Sequence, residues 1–224
     1  PTTPGYANML TGRDTFGTGV VGLAQKEIAE GVPVLAEMLK GLGYNTTCIG
    51  FQWNAAGKGY DNYIDFAGWG PDHDDGRAHK AENLNEVAIP ELERLAAEDK
   101  PWFLFMRHMD PHSPYLPPEP YERMFYSGNE NDPDNHSLDP VFEFKPFCDY
   151  FASWFPPKCT DAEYINAQYD GAIAYMDSCI QQLFSTLTDL GIDYNHLYEL
   201  VDEGKWTLDE MFKLVGNYYQ AVDQ

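Results

Sequence analysis

The sequence predicts an α/β fold in which a mostly parallel sheet is flanked by helices. Apolar residues at helical spacing over Val32 to Leu42 are followed by a β-branched run from Tyr44 to Ile49. The same order recurs over Glu82 to Glu98 and Trp102 to Arg107. Because alternating helices and strands bring successive strands side by side in one direction, the sheet is expected to be mostly parallel.

Composition separates the buried strand from the loops and the insertion. Trp102 to Arg107 is a continuous apolar run, which predicts a strand buried on both faces of the sheet. Residues 1–31 are expected to be loop with a short helix start, and residues 50–78 a long loop, since both contain many glycines and polar residues. Prolines make residues 109–120 a loop, and residues 127–159 are expected to be an insertion.

Two further helices are expected in the C-terminal part of the chain. Thr160 to Leu190 has apolar residues at steps of three or four, and Gly191 follows the last of them. Thr160 and Glu163 have the spacing of a capping box. A final helix is predicted from Leu208 to Val222.

The net charge narrows the possible partners, and the cysteines bear on the compartment. The chain has 36 acidic and 14 basic residues, a net charge of −22, so nucleic acid and anionic membranes are not expected to bind it. It lacks an apolar run of about 18 residues, the length that a membrane-spanning helix needs. The four cysteines form no CxxC pair. Cys148 and Cys159 could form a disulfide or remain free thiols, which leaves the compartment open.

The segment from Thr2 to Arg13 carries the first chemical motif. Its sequence, TTPGYANMLTGR, resembles the sulfatase signature, in which a proline follows the nucleophile closely and Leu-Thr-Gly-Arg ends the motif. The resemblance implies Thr2 as the nucleophile and Arg13 as a substrate-binding residue. Most sulfatases have Cys or Ser at the first position, converted to formylglycine. Threonine cannot follow that route, but related phosphoglycerol transferases use it as a metal-activated nucleophile.

The second motif follows the strand that ends near Arg107. The sequence HMDPHSPYLPP, which begins at His108, resembles the central sulfatase loop. The resemblance implies that His112 contacts the sulfate or the leaving-group oxygen, and His108 lies where α/β enzymes place ligand-binding groups. Pro111 and Pro114 exclude a helix, so the HxxxH spacing is not a zinc-binding helix. Local hydrogen bonding at the strand end is the alternative role.

Several positions depart from the family pattern. Tyr6 stands where the family usually has Arg, and Phe51 and Trp53 stand where it has a Lys and a His that contact sulfate. Asn54 is assigned to substrate binding through its amide. Lys58 either substitutes for the missing Lys or is a solvated loop residue.

The resemblance also implies a divalent cation, calcium or similar, whose ligands are incomplete in this chain. The family holds it with an Asp pair near the N-terminus and an Asp-His or Asp-Asn pair after the long helix. No apolar strand ending in Asp-His-Gly follows Leu190. One acidic loop either binds a cation or is solvated; its residues are Asp72, His73, Asp74 and Asp75.

These features predict an incomplete fold of the alkaline phosphatase and sulfatase kind, with a partial domain over residues 1–191 and a helical tail over residues 192–224. The expected function is metal-assisted hydrolysis of sulfate esters or phosphate esters, with a small-molecule or carbohydrate sulfate ester as substrate. The alternative is a catalytically silent sulfatase-like domain with a binding or structural role. Catalysis requires Thr2 and His112 to converge at one edge of the sheet. Family members are often secreted or periplasmic, and the oligomeric state stays open.

Overall fold

The structure is a computed structural model of the chain. The residues that it describes are 1–24, 27–50, 54–66, 80–149, 155–156, 158–207 and 209–210. They form two compact units. The first contains the described residues of 1–63 and 89–105 and those from Leu183 onward, and the second contains the described residues of 64–88 and 106–182.

The described elements alternate between helix and strand in the first half of the chain. The strands are β1 (Asn45–Ile49), β2 (Asn62–Ile64) and β3 (Trp102–Met106). The helices are α1 (Thr2–Thr11), α2 (Thr15–Thr18), α3 (Leu35–Gly41), α4 (Lys80–Ala96), α5 (Asp139–Phe142), α6 (Lys145–Cys148), α7 (Ala162–Asp189) and α8 (Asn195–Asp202). Short 3₁₀ turns occupy Ala55–Gly57 and Tyr121–Arg123.

The three strands form a parallel sheet in the order β2-β1-β3, which confirms the predicted fold class. The predicted helices and strands around β1 and β3 are present with slightly shifted ends. The prediction that β3 is buried on both faces is wrong. All five of its residues are half-buried, because β3 is an outer strand of the sheet described here. Strand β2 lies within residues 50–78, which the sequence analysis assigned to loop.

A buried carboxylate on α4 ties that helix to the sheet. Thr47 of β1 and Asn62 of β2 both donate side-chain hydrogen bonds to Glu91, and the Arg94 guanidinium donates two more at 2.8 Å. Burial raises the pKa of Glu91, but these hydrogen bonds outweigh it and leave the pKa below its ordinary value. The ionised carboxylate is therefore the form that joins α4, β1 and β2.

The N-terminal segment is more helical than expected. Residues 1–31 were assigned mainly to loop, but α1 and α2 occupy much of them. Helix α1 ends at Gly12, whose φ of 65° is a left-handed conformation that glycine adopts without strain. Asp14 then caps α2, because its carboxylate accepts a hydrogen bond of 2.6 Å from the Gly17 N–H. The apolar residues Ala7 and Leu10 are buried and fix the orientation of α1 in the first unit.

Helix α7 confirms the longest predicted helix, but its cap differs from the prediction. The Glu163 N–H donates to the Asp161 carboxylate at 2.9 Å, so Asp161 caps the helix. The Thr160 hydroxyl instead donates to the carbonyl oxygens of Glu130 and Asp132, at 3.2 and 2.7 Å. The predicted capping box of Thr160 and Glu163 is therefore wrong, and Thr160 holds the end of the insertion.

The remaining expectations concern the insertion, the cysteines and the tail. Two short helices, α5 and α6, lie within residues 127–159, and all four cysteines are free thiols. Helix α8 lies in the predicted helical tail, and Leu208 to Val222 falls outside the described residues except for residues 209–210. Over the part of the chain that is described, each helix is too short or too polar to span a membrane.

Candidate functional site

Thr2 is the first residue of α1, and its side chain is half-buried. The first-turn N–H groups of a helix have no partner within the helix. In α1, Pro4 has no N–H and the Gly5 N–H donates to the Pro1 carbonyl oxygen at 3.2 Å, so the N–H groups of Thr2 and Thr3 are the donors that can bind an anion beside the Thr2 hydroxyl. The first turn holds no acidic side chain that would oppose an anion. The position suits both a nucleophile and a bound sulfate or phosphate group.

Asn54 fixes the residue next to Thr2. Its Nδ2 donates to the Thr3 hydroxyl at 3.0 Å, and its Oδ1 accepts from the Ala56 N–H at 2.9 Å. Thr3 is buried, with 2% of its surface exposed, and its hydroxyl donates to the Leu23 carbonyl oxygen at 3.4 Å. Asn54 therefore connects the start of α1 to the 3₁₀ turn at Ala55–Gly57. This geometry favours a positioning role for Asn54; its predicted contact with substrate stays a prediction.

Arg13 lies beyond the opposite end of α1. A ten-residue helix is about 15 Å long at a rise of about 1.5 Å per residue, so the backbone of Arg13 is far from Thr2. The Arg13 side chain is exposed, and its backbone N–H donates to the Thr11 hydroxyl at 3.2 Å. The structure does not bring Arg13 beside Thr2, and its assignment to substrate binding stays a prediction.

Tyr6, which replaces the arginine of the family pattern, packs against the sheet. Its ring meets Phe105 of β3 edge-on, with ring centroids 5.8 Å apart. Tyr60 stacks near the same ring at 6.3 Å, and burial raises the pKa of Tyr60 well above its ordinary value. At the position where the family usually has an arginine, this chain therefore has an aromatic side chain that packs against other rings. Lys58, the other cationic candidate, donates to the Val32 carbonyl oxygen at 3.1 Å.

The loop after β3 carries both histidines. His108 is half-buried, and this burial lowers its pKa and keeps the imidazole neutral at neutral pH. None of the described residues forms a hydrogen bond with its Nε2. His112 is exposed, and its Nδ1 lies 2.7 Å from the Ser113 carbonyl oxygen. That contact requires the proton on Nδ1, which makes Nε2 the atom that can exchange a proton with a substrate.

A buried lysine at the start of α4 holds this loop. Lys80 Nζ donates to the His112 carbonyl oxygen at 2.6 Å and to the Pro114 carbonyl oxygen at 3.4 Å. It also lies 3.6 Å from the Asp110 carboxylate, and both side chains are 6% exposed. Burial lowers the pKa of Lys80 and raises that of Asp110, while the attraction between the two charges opposes both shifts.

The sequence analysis did not identify Lys80. The predicted helix began at Glu82, which left Lys80 outside it, whereas α4 begins at Lys80. A cation in the first turn of a helix is opposed by the helix dipole, so its presence there indicates a compensating partner. The partner, Asp110, lies 30 positions along the chain in the proline-rich loop. The contact could not be foreseen without knowing how that loop folds.

The predicted site residues divide between the two units. Thr2, Arg13 and Asn54 belong to the first unit, and His108 and His112 belong to the second. The expected convergence of Thr2 and His112 therefore stays a prediction. Phe51, Trp53 and the acidic loop of residues 72–75 lie outside the described residues.

The divalent cation has no matching ligand set in the described residues. Nowhere among them do three or more His, Cys, Asp or Glu side chains come together as a metal site would require. The carboxylates at the site, such as Asp110, are paired with Lys80. A cation in the intact protein would need ligands in addition to these.

Comparison with known proteins gives both a family and a fold. The family model described as Sulfatase matches residues 1–197. Iduronate 2-sulfatase of Mus musculus is 26% identical over 140 residues, which cover 56% of this chain and 25% of that protein.

Solved structures share the fold at low sequence identity. The phosphonate monoester hydrolase of Agrobacterium radiobacter matches with a TM-score of 0.60 and 17% identity, over 86% of this chain and 51% of that one. The phosphonate monoester hydrolase of Silicibacter pomeroyi matches with a TM-score of 0.59 and 18% identity, over 86% and 51%. A protein solved with its substrate D-glucosamine-2-N,6-O-disulfate matches with a TM-score of 0.54 and 15% identity, over 86% and 54%.

The chain thus spans about half the length of these solved structures and a quarter of the mouse relative. The family match extends from Thr2 and the first signature through the histidine loop and helix α7. Because it covers most of the sequence, this chain belongs to the sulfatase family.

Proposed function

We propose that this chain is part of an ester hydrolase that acts on sulfate esters, with Thr2 as the nucleophile and His112 as the group that assists the leaving alcohol. The observation that carries the proposal is the position of Thr2 as the first residue of α1, beside the anion-binding end of the helix. Membership of the sulfatase family supports the choice of a sulfate ester. Phosphate esters are the second substrate class, in keeping with the tetrahedral anion that both share.

In the proposed reaction, Thr2 Oγ1 attacks the sulfur of the ester and its proton passes to solvent. The bond between sulfur and the alcohol oxygen breaks, and that oxygen takes the Nε2 proton of a doubly protonated His112, which leaves the ring with its Nδ1 proton alone. Water then attacks the sulfur of the Thr2 ester. One proton of the water returns to His112 Nε2 and the other goes to Thr2 Oγ1, so sulfate is released and both residues are restored. The hydrogen bond from Nδ1 to the Ser113 carbonyl fixes the ring orientation that this step needs.

The buried Lys80 supports the role of His112. A loop that contains five prolines and is held at two carbonyl oxygens by one ammonium group presents the imidazole in a fixed orientation. His108 Nε2, buried at the end of β3, is a further atom that could contact the anion. The divalent cation that the family implies remains part of the proposal, with its ligands unassigned.

The intact protein tests the nucleophile. We expect hydrolysis of 4-nitrophenyl sulfate or 4-nitrophenyl phosphate, stimulated by a divalent cation. Thr2→Ala should lower kcat/KM by about 10³-fold or more, since the loss of a nucleophile removes the covalent route. Thr2→Ser keeps the hydroxyl and is the matched control. Equal turnover by Thr2→Ala and the parent protein would refute the assignment.

The leaving-group assignment has its own test. His112→Asn should reduce hydrolysis of phenyl sulfate far more than that of 4-nitrophenyl sulfate, because the nitrophenolate ion leaves without needing a proton. General acid catalysis contributes about 10²–10⁴-fold, so the two losses should differ clearly. Equal losses on both esters would indicate that His112 acts in another way.

A catalytically silent sulfatase-like domain is the second candidate. The observation that favours it is the core contact between Tyr6 and Phe105, which stands where the family has a charged residue. In that case the intact protein would bind sulfate esters without turning them over, with or without divalent cations. Binding by calorimetry combined with the absence of Thr2-dependent turnover would establish this role.

A further inference from the structure

A cavity of about 220 Å³ lies in the second unit, directly beside the loop that carries His112. Its walls come from that loop, from the insertion and from α7. The residues that matter here are Pro114, Tyr115, Phe147, Phe155, Pro156 and Gln168.

The aromatic walls are packed against neighbouring rings. Phe147 and Phe155 lie with centroids 5.4 Å apart, and Phe142 meets Phe155 edge-on at 6.1 Å. Tyr115 meets Tyr169 edge-on at 5.2 Å. These contacts hold the ring faces in defined orientations, so the cavity exists without a ligand and is not created by one.

The polar groups of the wall are few. Gln168 is 1% exposed, and its Nε2 already donates to the Glu122 carbonyl oxygen at 2.6 Å. Ser113 and Tyr115 are the other lining residues with polar side chains. A sugar ring brings several hydroxyl groups, and each one buried without a partner weakens binding by about tenfold. A wall with so few polar side chains favours an apolar ring over a sugar.

The volume of the cavity also favours a single apolar ring. Pockets for drug-sized ligands are about 300–1,000 Å³, so about 220 Å³ suits a single ring rather than an oligosaccharide. A flat aromatic ring buries apolar surface, requires no hydrogen bonds and packs well against phenylalanine and proline.

We propose that this cavity binds the aryl ring of the esterified alcohol, so that the chain selects aryl esters. The proposal rests on the hydrolase function proposed above. Ser113, Pro114 and Tyr115 directly follow His112, and an aryl ring held against them keeps its ester oxygen close to the histidine loop. Insertion residues such as Phe147 and Phe155 then act as specificity-determining residues rather than catalytic ones.

The first experiment measures binding without catalysis. Phenol is titrated into the intact protein by calorimetry, in parallel with glucosamine. We expect phenol to bind and glucosamine not to bind. Phe155→Leu and Phe147→Leu keep apolar bulk but remove a ring, and each should weaken phenol binding about tenfold. The matched control is Phe144→Leu, since Phe144 is in the same insertion but 63% exposed and does not line the cavity.

The second experiment uses turnover. The same two variants should raise the KM for phenyl sulfate about tenfold and leave kcat unchanged, whereas Phe144→Leu should change neither. Thermal unfolding confirms that the variants fold. Because leucine removes little volume, a variant that fails to fold is replaced by Phe155→Met, which carries the same expectation.

The outcomes separate the two proposals. Phenol binding that depends on Phe155, without Thr2-dependent turnover, supports the cavity and refutes the hydrolase. Thr2-dependent turnover whose KM is unchanged in Phe147→Leu and Phe155→Leu supports the hydrolase and refutes the cavity assignment. Absence of phenol binding, or binding of glucosamine that these variants weaken, also overturns the aryl assignment.

Discussion

The ammonium group of Lys80 lies 2.6 Å from the backbone carbonyl oxygen of His112. The same group lies 3.6 Å from the Asp110 carboxylate, and little of either side chain is exposed. One buried cation thus holds the loop at a carbonyl and at a carboxylate. The loop owes its shape to this contact as well as to its prolines, because the cation fixes the backbone at the histidine itself.

Removing Lys80 should destabilise the second unit. Lys80→Met leaves the Asp110 charge buried without its partner, and breaking such a pair costs about 3–5 kcal/mol. We expect the free energy of unfolding, measured in urea, to fall by about 3 kcal/mol. Lys80→Met combined with Asp110→Asn should recover part of this loss, since no buried charge then remains. A Lys80→Met protein as stable as the parent would contradict the buried pair.

Mutations of Asn54 and Thr3 should have non-additive effects on stability. Asn54→Ala removes the hydrogen bond to the Thr3 hydroxyl and the cap of the 3₁₀ turn, and should lower the free energy of unfolding by about 1–2 kcal/mol. Thr3→Val keeps the shape and removes the hydroxyl. The double variant should be less destabilised than the sum of the two single variants, because they share one hydrogen bond.

The same variants separate the two roles considered for Asn54. A substrate-binding amide would raise KM on mutation without changing stability. Additive stability effects together with a higher KM would therefore favour the substrate contact over the positioning role.

Gly171 permits a close approach between α7 and the proline-rich loop. A Cβ at this position would lie 2.5 Å from the Tyr121 carbonyl oxygen and 3.1 Å from Pro117 Cγ. Gly171→Ala should therefore destabilise the protein by about 1–3 kcal/mol, despite the better helix propensity of alanine. Gly41→Ala is the matched control, since Gly41 is also helical and has open space around its Cβ position. Equal thermal stability of the two variants would contradict the predicted contact.

The hydrogen bond between Tyr126 and Asp161 should make the free energy of unfolding depend on pH. The Tyr126 hydroxyl donates to Asp161 at 2.7 Å and holds the pKa of that carboxyl below its ordinary value. The stabilisation is complete above the unfolded pKa of about 3.9 and is lost as the pH falls through the lower folded pKa. Tyr126→Phe should thus lower the free energy of unfolding by about 2 kcal/mol at pH 7 and by less at pH 3, which lies below the unfolded pKa.

Urea unfolding at these two pH values avoids the sequence pI of about 4.3. Tyr198→Phe serves as the control, because the Tyr198 side chain is 54% exposed and the loss of its hydroxyl should have little effect at either pH. An equal effect of Tyr126→Phe at pH 7 and pH 3 would show that the Asp161 charge is not involved.

Sequence patterns were sufficient for the longer elements of the fold. Apolar periodicity predicted helices α4 and α7, and residue composition predicted strands β1 and β3. The short elements β2, α5 and α6 have three or four residues each, too few to establish a period. The cap of α7 was misassigned because Thr160 and Asp161 are both good capping residues, and contacts with Glu130 and Asp132 decided between them.

The site was partly accessible from the sequence. Motif spacing led to Thr2 and His112, since the signature and the proline-rich loop are local patterns. The contacts that hold these segments, from Lys80 to the His112 carbonyl oxygen and from Asn54 to Thr3, were not accessible, because they join residues 32 and 51 positions apart. Nothing in the spacing of residues predicts which distant side chain will hold a loop.

The junction between the insertion and α7 has a consequence for how such proteins diverge. The Thr160 backbone N–H donates to the Glu130 carbonyl at 2.8 Å, and Tyr126 and Ser137 both bond to Asp161. Both ends of the insertion are therefore fastened at the base of the helix by hydrogen bonds that involve none of residues 139–149. Within that middle stretch, Val141 packs against the cluster that contains Tyr164 of α7. Mutations, additions and deletions that spare this one apolar contact can accumulate over evolutionary time while the fastened ends keep their hydrogen bonds, so descendants of one ancestral gene can carry different insertions on the same helical scaffold.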